Sequence, residues 1–497
     1  MVPDVTDRAA SVAGADPGSG ASLDNRPLCV DLDGTLINTD LLVEGLLSVF
    51  STRGVLPLLT LLTWSRAQLK MRVAQLAQLD PRDIPFNREL IDFLREQRWM
   101  GRRIVLVTAA DRRAAQAVAQ HLDLFDEVIA SNGVQNLKGD AKAEELVRRF
   151  GRKGFDYIGN DRSDLPVWRE ANASGVVNAP ASVARAARQV GNVFLEISDR
   201  PSPARMILKA MRPYQWVKNL LVFVPLVASR SFGDVKAFDD AFYIFASFCL
   251  VASGIYLIND LLDLSADRQH PRKRERPFAS GALSLTTGVI AAAVLLAFGI
   301  VLGVLAEAVQ FVLLYAAVSL AYSLALKEYP LLDVFMLAGL YTVRIVAGGV
   351  ATEHPVTLWL LAFSGFTFLS LALVKRAAEL GGSARSAEQL SVTRRGYQAE
   401  DRQLLVTFGV ASAFASSVVL ALFISTAAAM QAYRSPEVFW GVVPLILFWH
   451  CRLWLAAERG RMHDDPIIYA VRDWVSWLVG AAKIVLVLLA SWAPAFW

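Results

Sequence analysis

Cysteine is nearly missing, with three in 497 residues. Cys29 falls in a short apolar run that reads as a buried strand, and Cys249 and Cys451 lie in or at the ends of longer apolar runs. No spacing among them builds a disulfide framework or a zinc site, so all three read as packing residues. A charge excess is missing too: a net charge of +4 is too small to point to nucleic acid. Uninterrupted apolar runs of bilayer-spanning length are absent from residues 1–200. Within that stretch, residues 1–26 are rich in Ala, Gly, Ser, Asp and Pro and lack the apolar core of a secretory signal, so they read as a disordered cytoplasmic tail. From Trp216 onward the pattern reverses, and apolar stretches of about bilayer-spanning length follow one another. The hydrophobic fraction of 54% therefore averages two solvents, and the length exceeds what one core organises.

In the first part, short β-rich runs at 27–31, 103–108, 127–131, 156–159 and 175–178 alternate with helical stretches, the pattern of a parallel α/β sheet. Between the first two runs, Leu41 to Leu79 reads as an apolar helical insertion, the main part of a helical cap over about 41–100. Thr52, Arg53, Gly54 and Pro57 interrupt it, so it is expected to pack on the sheet or lie on a membrane surface, with a membrane span as the alternative. Residues 198–204, with Pro201 and Pro203, form the expected linker between a domain at 27–197 and one at 205–497. In the latter, about nine spans are expected, near 217–229, 240–258, 286–305, 309–326, 331–350, 356–374, 404–427, 438–455 and 474–494. Basic residues crowd 268–276, 375–402 and 452–472, whereas the opposite loops carry Arg230, Lys236 and Arg434. That asymmetry places the first domain in the cytoplasm and the rest in the inner membrane as a multi-pass protein.

The strand ending at Asp31 continues into Leu-Asp33-Gly-Thr-Leu, which sets two carboxylates at the C-terminal end of a parallel strand, where open α/β sheets hold ligands. One acid is placed to attack phosphorus beside a magnesium ion, the other to exchange a proton with the leaving oxygen. An Asp-rich turn capping a helix is the plain alternative. The segment resembles the haloacid dehalogenase phosphatase superfamily, whose first motif is DxDGT, and this implies a Rossmann-like fold with a helical cap. The resemblance makes Thr108 the phosphate-binding hydroxyl and Lys142, with Lys138 as a nearby substitute, the neutralising lysine. It places Mg2+ among Asp31, Asn160 and Asp164, in the run Gly159 to Asp164. Asn160 stands where that motif usually has Asp; it offers a carbonyl oxygen but no charge, so a catalytically inactive version of the fold stays open.

The second span closes on Asn259-Asp260-Leu-Leu-Asp263-Leu-Ser-Ala-Asp267. On a helix these three acids share a stripe, and they repel unless a cation sits among them. They are a magnesium site for a polyphosphate or a solvated helix end. The run Arg268 to Pro277 follows, in which Arg272, Lys273 and Arg276 suit phosphate oxygens or, more plainly, anchor the loop on the cytoplasmic side. Lys218, Lys327 and Lys375 lie at helix ends. Arg344 lies inside a span, where a charge is costly unless it faces a polar cavity. Asp464, Asp465 and Asp473 offer a second acidic face or a solvated loop.

The Asn-Asp-x-x-Asp-x-x-x-Asp run is similar to the aspartate signature of the UbiA superfamily of intramembrane prenyltransferases. With Pro213 to Asn219, the segment Asn259 to Gly281, Tyr322-Ser323 with Lys327, Arg344 to Gly349 and Lys375 to Leu380, the resemblance narrows to its decaprenyl-phosphate phosphoribosyltransferase branch. The branch implies phosphoribosyl pyrophosphate as donor, polyprenyl phosphate as acceptor, Asp260 and Asp263 as catalytic residues, and Mg2+ on Asp260, Asp263 and Asp267. The implied phosphate-binding residues are Lys218, Arg272, Lys273, Arg276, Lys327, Arg344 and Lys375. A product bearing a ribose 5-phosphate would in turn suit the fused phosphatase. Transfer of a polyprenyl group from its diphosphate to an aromatic acceptor uses the same magnesium site and is the alternative; a transporter or lipid-binding scaffold would not need the acidic stripe. A homo-oligomer is left open, and no nucleic-acid partner is expected.

Overall fold

The computed structural model describes residues 26–54, 57, 64–77, 79–229, 231, 233–383, 396–427, 429, 433–462 and 465–492. The expected tail up to residue 25, Arg230, Asp464 and residues 384–395 of the basic loop after Lys375 lie outside the described residues. The chain divides into two compact units, Met1–Arg200 and Pro201–Trp497.

The first unit is built on six parallel strands, β1 (Leu28–Val30), β2 (Ile104–Asp111), β3 (Glu127–Ser131), β4 (Asp156–Gly159), β5 (Ala173–Val177) and β6 (Asn192–Ile197), in the order β3-β2-β1-β4-β5-β6. Period-two alternation explains why the central strand is wholly apolar: Leu28 and Val30 enter the core on one face and Cys29 the core on the other. Five of the six strands follow the expected runs. The sixth, β6, was not expected; it is an edge strand whose Asn192, Phe194 and Glu196 face outward, so only alternate residues carry an apolar signal. The insertion after β1 contains two helices, Leu41–Arg53 and Arg66–Ala77. Gly45 lets them approach, because a Cβ there would lie 2.5 Å from Val73. The Arg88–Trp99 helix, inside the span expected as cap, instead buries Leu90, Ile91 and Leu94 with Ile104 and Leu106 of β2, so it belongs to the layer covering the sheet.

The second unit is helical. Seven helices among the described residues are long and apolar enough to cross a membrane: Val235–Leu262, Leu285–Leu305, Leu332–Ala351, Leu358–Gly381, Asp401–Ile424, Pro436–Glu458 and Trp474–Ser491. An apolar helix at Val309–Leu324 is shorter. The first expected span is built differently. Pro213–Phe223 winds as a 3-10 helix and passes into a short α-helix at Val224–Ala228. A proline opens each piece, and Arg212 precedes them in the left-handed conformation. At about 2.0 Å per residue for 3-10 and 1.5 Å for α winding, the two pieces run roughly 25–30 Å.

This segment is held by backbone approach to the Leu332–Ala351 helix, since a Cβ on Gly348 would lie 1.9 Å from the Val222 carbonyl oxygen. The contact sets Lys218 and Asn219 against the helix that carries Arg344. Gly348→Ala is therefore expected to destabilise the membrane unit by about 1–3 kcal/mol through overpacking. Gly339→Ala, on the same helix with open space around it, is expected to be neutral or slightly stabilising. Thermal midpoints of the detergent-purified variants check this, and equal midpoints would contradict the contact.

Candidate active sites

In the first unit the sheet gathers its polar residues at the strand ends. Asp31 follows β1 and is fixed by its N–H donating to the Ile158 carbonyl at 2.9 Å. The chain then turns sharply: Thr35 and Ile37 N–H groups return to the Leu32 carbonyl, and Leu36 N–H to that of Asp31. Gly34 is required twice in this turn. Its φ is +77°, and a Cβ would lie 2.2 Å from Asn160 Nδ2. The turn faces Asp33 toward the first insertion helix, where its Oδ1 accepts from Leu41 N–H at 2.9 Å. Asp33 thus supports that helix as well as standing beside Asp31.

Lys142, in the first turn of the Asp140–Phe150 helix, is buried and donates to Asp31 Oδ1 at 2.7 Å and Tyr157 Oη at 2.8 Å. Tyr157 donates onward to Asp164 Oδ1 at 2.8 Å, and Asp164 Oδ2 accepts from the N–H groups of Asn160 and Asp161 at 3.0 Å. Lys138 stays exposed. Thr108 is buried on β2, its Oγ1 accepting from Ala110 N–H at 2.9 Å. Lys70, on the second insertion helix, donates to the Ala109 carbonyl at 2.6 Å and Asn136 Oδ1 at 3.0 Å. The structure thus links Asp31, Lys142, Asp164 and the Asn160 N–H through one hydrogen-bonded network, with Asp33 acting on Asp31 and Thr108 on the neighbouring strand β2. It adds Tyr157, which sequence reading passed over because a tyrosine inside an apolar strand has no distinguishing neighbour.

Burial raises both motif carboxyls. Asp31 reaches only about 6, because Lys142 opposes the rise. Asp33, beside Asp40 and with the Leu41 N–H as its chief compensation, reaches about 7. Both motif carboxyls are thereby held above the usual carboxylate range, which favours proton exchange near neutral pH.

In the second unit, the Val235–Leu262 helix carries Asp260 and stops at Asp263; Asp267 lies on a separate short helix, Leu264–Gln269. The three acids do not form the single stripe expected. Asp260 and Asp267 are buried and share one cation: Arg276 donates to Asp260 Oδ1 at 3.0 Å and Asp267 Oδ2 at 2.6 Å. Arg212 adds a contact to Asp260 at 2.5 Å while stacking over Tyr256. Asp263 turns outward, 40% exposed, 3.7 Å from Lys327. Burial pushes the Asp267 carboxyl up, against the pull of Arg276. Arg272 and Lys273 are exposed and make no ion pair among the described residues. Arg212 was missed by sequence reading, although its place directly before the Pro213 motif was a usable signal.

The second acidic face is not one. Asp473 pairs with Arg452 at 2.8 Å, and Asp465 sits buried between Lys218 at 2.6 Å and Lys375 at 3.5 Å. Burial alone raises the Asp465 carboxyl, but those two lysines bring it down to about 2. Arg344 is buried and spends its donors on Asn219 Oδ1 at 2.7 Å, Tyr315 Oη at 3.0 Å and the Leu340 carbonyl.

Residues 220–477 match the model of the UbiA prenyltransferase family. The chain belongs to the UbiA prenyltransferase family. Residues 28–169 match the model described as haloacid dehalogenase-like hydrolase, so a hydrolase-type domain is fused to this UbiA unit. The "Uncharacterized protein y4nM" of Sinorhizobium fredii is 38% identical over 463 residues, covering 92% of this chain and 89% of its own length, and so shares both domains. The "Nodulation protein NoeC" of Azorhizobium caulinodans is 38% identical over 274 residues, 54% of this chain and 88% of that protein. The decaprenyl-phosphate phosphoribosyltransferase of Mycolicibacterium smegmatis is 31% identical over 293 residues, 56% of this chain and 92% of that protein.

Both resemblances imply magnesium. Among the described residues no three His, Cys, Asp or Glu side chains converge as a metal cluster. Magnesium, however, keeps several waters and takes one or two carboxylates plus substrate phosphates rather than an all-protein cage. In the UbiA unit, the buried Asn259 amide oxygen, which has no hydrogen-bond partner, neighbours Asp260 in the chain. In the hydrolase-type unit, the Asn160 amide lies against Gly34, three residues after Asp31, while Asp164 is taken up by Tyr157 and the loop N–H groups. These oxygen donors fit such an ion.

The raised carboxyl gives a stability prediction for metal-free protein. Asp33 ionises near 3.8 when unfolded but near 7 when folded, so its contribution is full below 3.8 and is lost as pH rises toward 7. Asp33→Asn, which can still accept from Leu41 N–H, is expected to stabilise the first unit by on the order of 1–3 kcal/mol at pH 8 and to be neutral near pH 4. Thermal unfolding in EDTA at the two pH values measures it; a lower midpoint for the variant at pH 8 would contradict the assignment.

Proposed function

We propose that the membrane unit transfers a phosphoribosyl group from phosphoribosyl pyrophosphate to a polyprenyl phosphate, and that the first unit removes the 5-phosphate of the lipid product. The observation that carries this reading is the fusion itself. A membrane unit 31% identical to a decaprenyl-phosphate phosphoribosyltransferase is joined to a strand-end site whose two carboxylates, lysine and threonine suit a phosphomonoester. The asymmetry of basic loops supports a cytoplasmic first unit and an inner-membrane location.

In the transfer, Asp260 and Asp263, with Asn259 and Asp267 beside them, would hold magnesium, which neutralises the departing pyrophosphate when bound. Arg212, Arg276 and Lys327 lie within reach of the same carboxylates, and Arg272 and Lys273 stand in the adjoining loop, so cations surround the donor's phosphates. An oxygen of the lipid phosphate forms a bond to C1 of ribose as the C1–O bond to pyrophosphate breaks, and the pyrophosphate leaves with the electron pair. Positioning of the two anions is the main task of these side chains.

In the hydrolysis, Asp31 attacks the phosphorus of the 5-phosphate and Asp33 gives its proton to the ribose oxygen as the P–O bond breaks. Lys142 and Thr108 hold the phosphate oxygens, and magnesium held by Asp31 and Asn160, with Asp164 behind them, supplies further positive charge when bound. Water, deprotonated by Asp33, then releases phosphate from Asp31. Covalent fusion keeps this site at high effective concentration near its lipid substrate.

Asp260→Ala and Asp263→Ala are each expected to lower transfer of label from phosphoribosyl pyrophosphate into polyprenyl phosphate at least about a hundredfold while membrane insertion persists. Near-normal turnover at saturating magnesium would sink the metal assignment, and absence of label transfer by wild type would favour prenyl transfer to an aromatic acceptor. Asp31→Asn is expected to accumulate lipid that retains the 5-phosphate, seen by mass spectrometry of the lipid phase; an unchanged product profile would overturn the hydrolytic role.

A further inference from the structure

Two groups of basic residues in the membrane unit differ in net charge. Around Asp260, Asp263 and Asp267 stand Arg212, Arg276 and Lys327, three cations for three carboxylates. Around Asp465 stand Lys218 and Lys375. Arg344 joins this second group through Tyr341: Arg344 and Lys218 lie 5.8 and 5.9 Å from the Tyr341 ring, whose hydroxyl is 3.4 Å from Asp465 Oδ2. Arg344 makes no ion pair among the described residues, and only neutral groups accept its hydrogen bonds. Asp465 is the carboxylate within ion-pair distance of Lys218 and Lys375, while Glu379, which also acts on Lys375, is paired with Arg376; the Arg344 residue is 4% exposed and the Lys218 side chain 11% exposed.

Positive charge in excess of Asp465 in a low-dielectric setting is costly, and a dianion with several acceptor oxygens removes that cost. We propose that Lys218, Arg344 and Lys375 form a metal-free site for a phosphate monoester dianion, and that this dianion is the headgroup of the acceptor polyprenyl phosphate. The identity of the ligand rests on the transfer reaction proposed above. The site stands apart from the donor's but close to it: Arg212 and Lys218 are six residues apart on 3-10 winding, roughly 12 Å. Binding through lysine and arginine N–H groups also suits a nucleophile. A divalent ion on the acceptor would draw electron density from the oxygen that must attack C1, whereas hydrogen-bond donors leave it a lone pair. Asp465 holds Lys218 and Lys375 in place and is a positioning residue.

The test uses the full chain in lipid nanodiscs. Radiolabelled polyprenyl phosphate is expected to bind equally in EDTA and in magnesium, to be displaced by unlabelled polyprenyl phosphate, and to resist millimolar ribose 5-phosphate. A magnesium requirement, or displacement by ribose 5-phosphate, would overturn the proposal, the latter by assigning the site to the donor. Lys218→Gln and Lys375→Gln are expected to raise KM for polyprenyl phosphate by about tenfold or more with KM for phosphoribosyl pyrophosphate unchanged, and Lys375→Arg to restore it. A rise in the donor's KM alone would also overturn it. If either Gln variant fails to fold, the wild-type binding and displacement arms decide. Lipid binding in EDTA without any phosphoribosyl transfer by wild type would refute the transfer reading and leave the anion site standing.

Discussion

A carboxylate out of water needs a cation or N–H and O–H donors within hydrogen-bond reach, and that constraint organises both units. Moving an isolated charge into low dielectric costs several kcal/mol even after relaxation, more than most other contacts in a fold contribute. Asp31 has Lys142, Asp260 and Asp267 share Arg276, and Asp465 has Lys218 and Lys375. The deepest pair, Asp333 with Arg376 at 2.7 Å, is at most 1% exposed on either side and is completed by Tyr397 on the acid and Tyr322 on the guanidinium. That pair ties the start of one spanning helix to the end of the next, which a purely apolar contact could not do with the same register.

The same constraint separates support from chemistry. Where a buried carboxylate has its counter-ion and its hydroxyl donor, as at Asp333, the network holds helices in place. Where the match is incomplete, the surplus marks a ligand. Asn259 keeps a buried amide oxygen without a hydrogen-bond partner, next to acids balanced by Arg212, Arg276 and Lys327. Around Asp465 the surplus is positive, and around Asp31 and Asp33 the cost of burial appears as carboxyls held at about 6 and about 7. Close backbone approach sustains these arrangements: Gly34 against Asn160 in one unit and Gly348 against Val222 in the other leave no room for a side chain. In both places a glycine lets one segment lie directly on another, which brings the charged groups just before it in sequence close to the facing segment.

Patterning along the chain was enough to divide it into a parallel α/β unit and a membrane unit, to locate five of six strands, and to single out Asp31, Asp33, Asp260 and Asp263 as candidates, because period-two runs, bilayer-length apolar stretches and acids at fixed spacing are local signals, whereas Thr108 and Lys142 came from the resemblance to a family motif. It misread what depends on partners far away in sequence. Residues at 88–99 looked like cap until their apolar face met β2, and 217–229 looked like an ordinary span until prolines and backbone contact showed a 3-10 segment. Asp465 looked like half of an acidic face, but Lys218 lies 247 residues away. Charge spacing in sequence shows which side chains can act together on one element. Only the tertiary structure decides which of them are cancelled by a neighbour from another, because Coulomb energy depends on distance in space and on the dielectric around it.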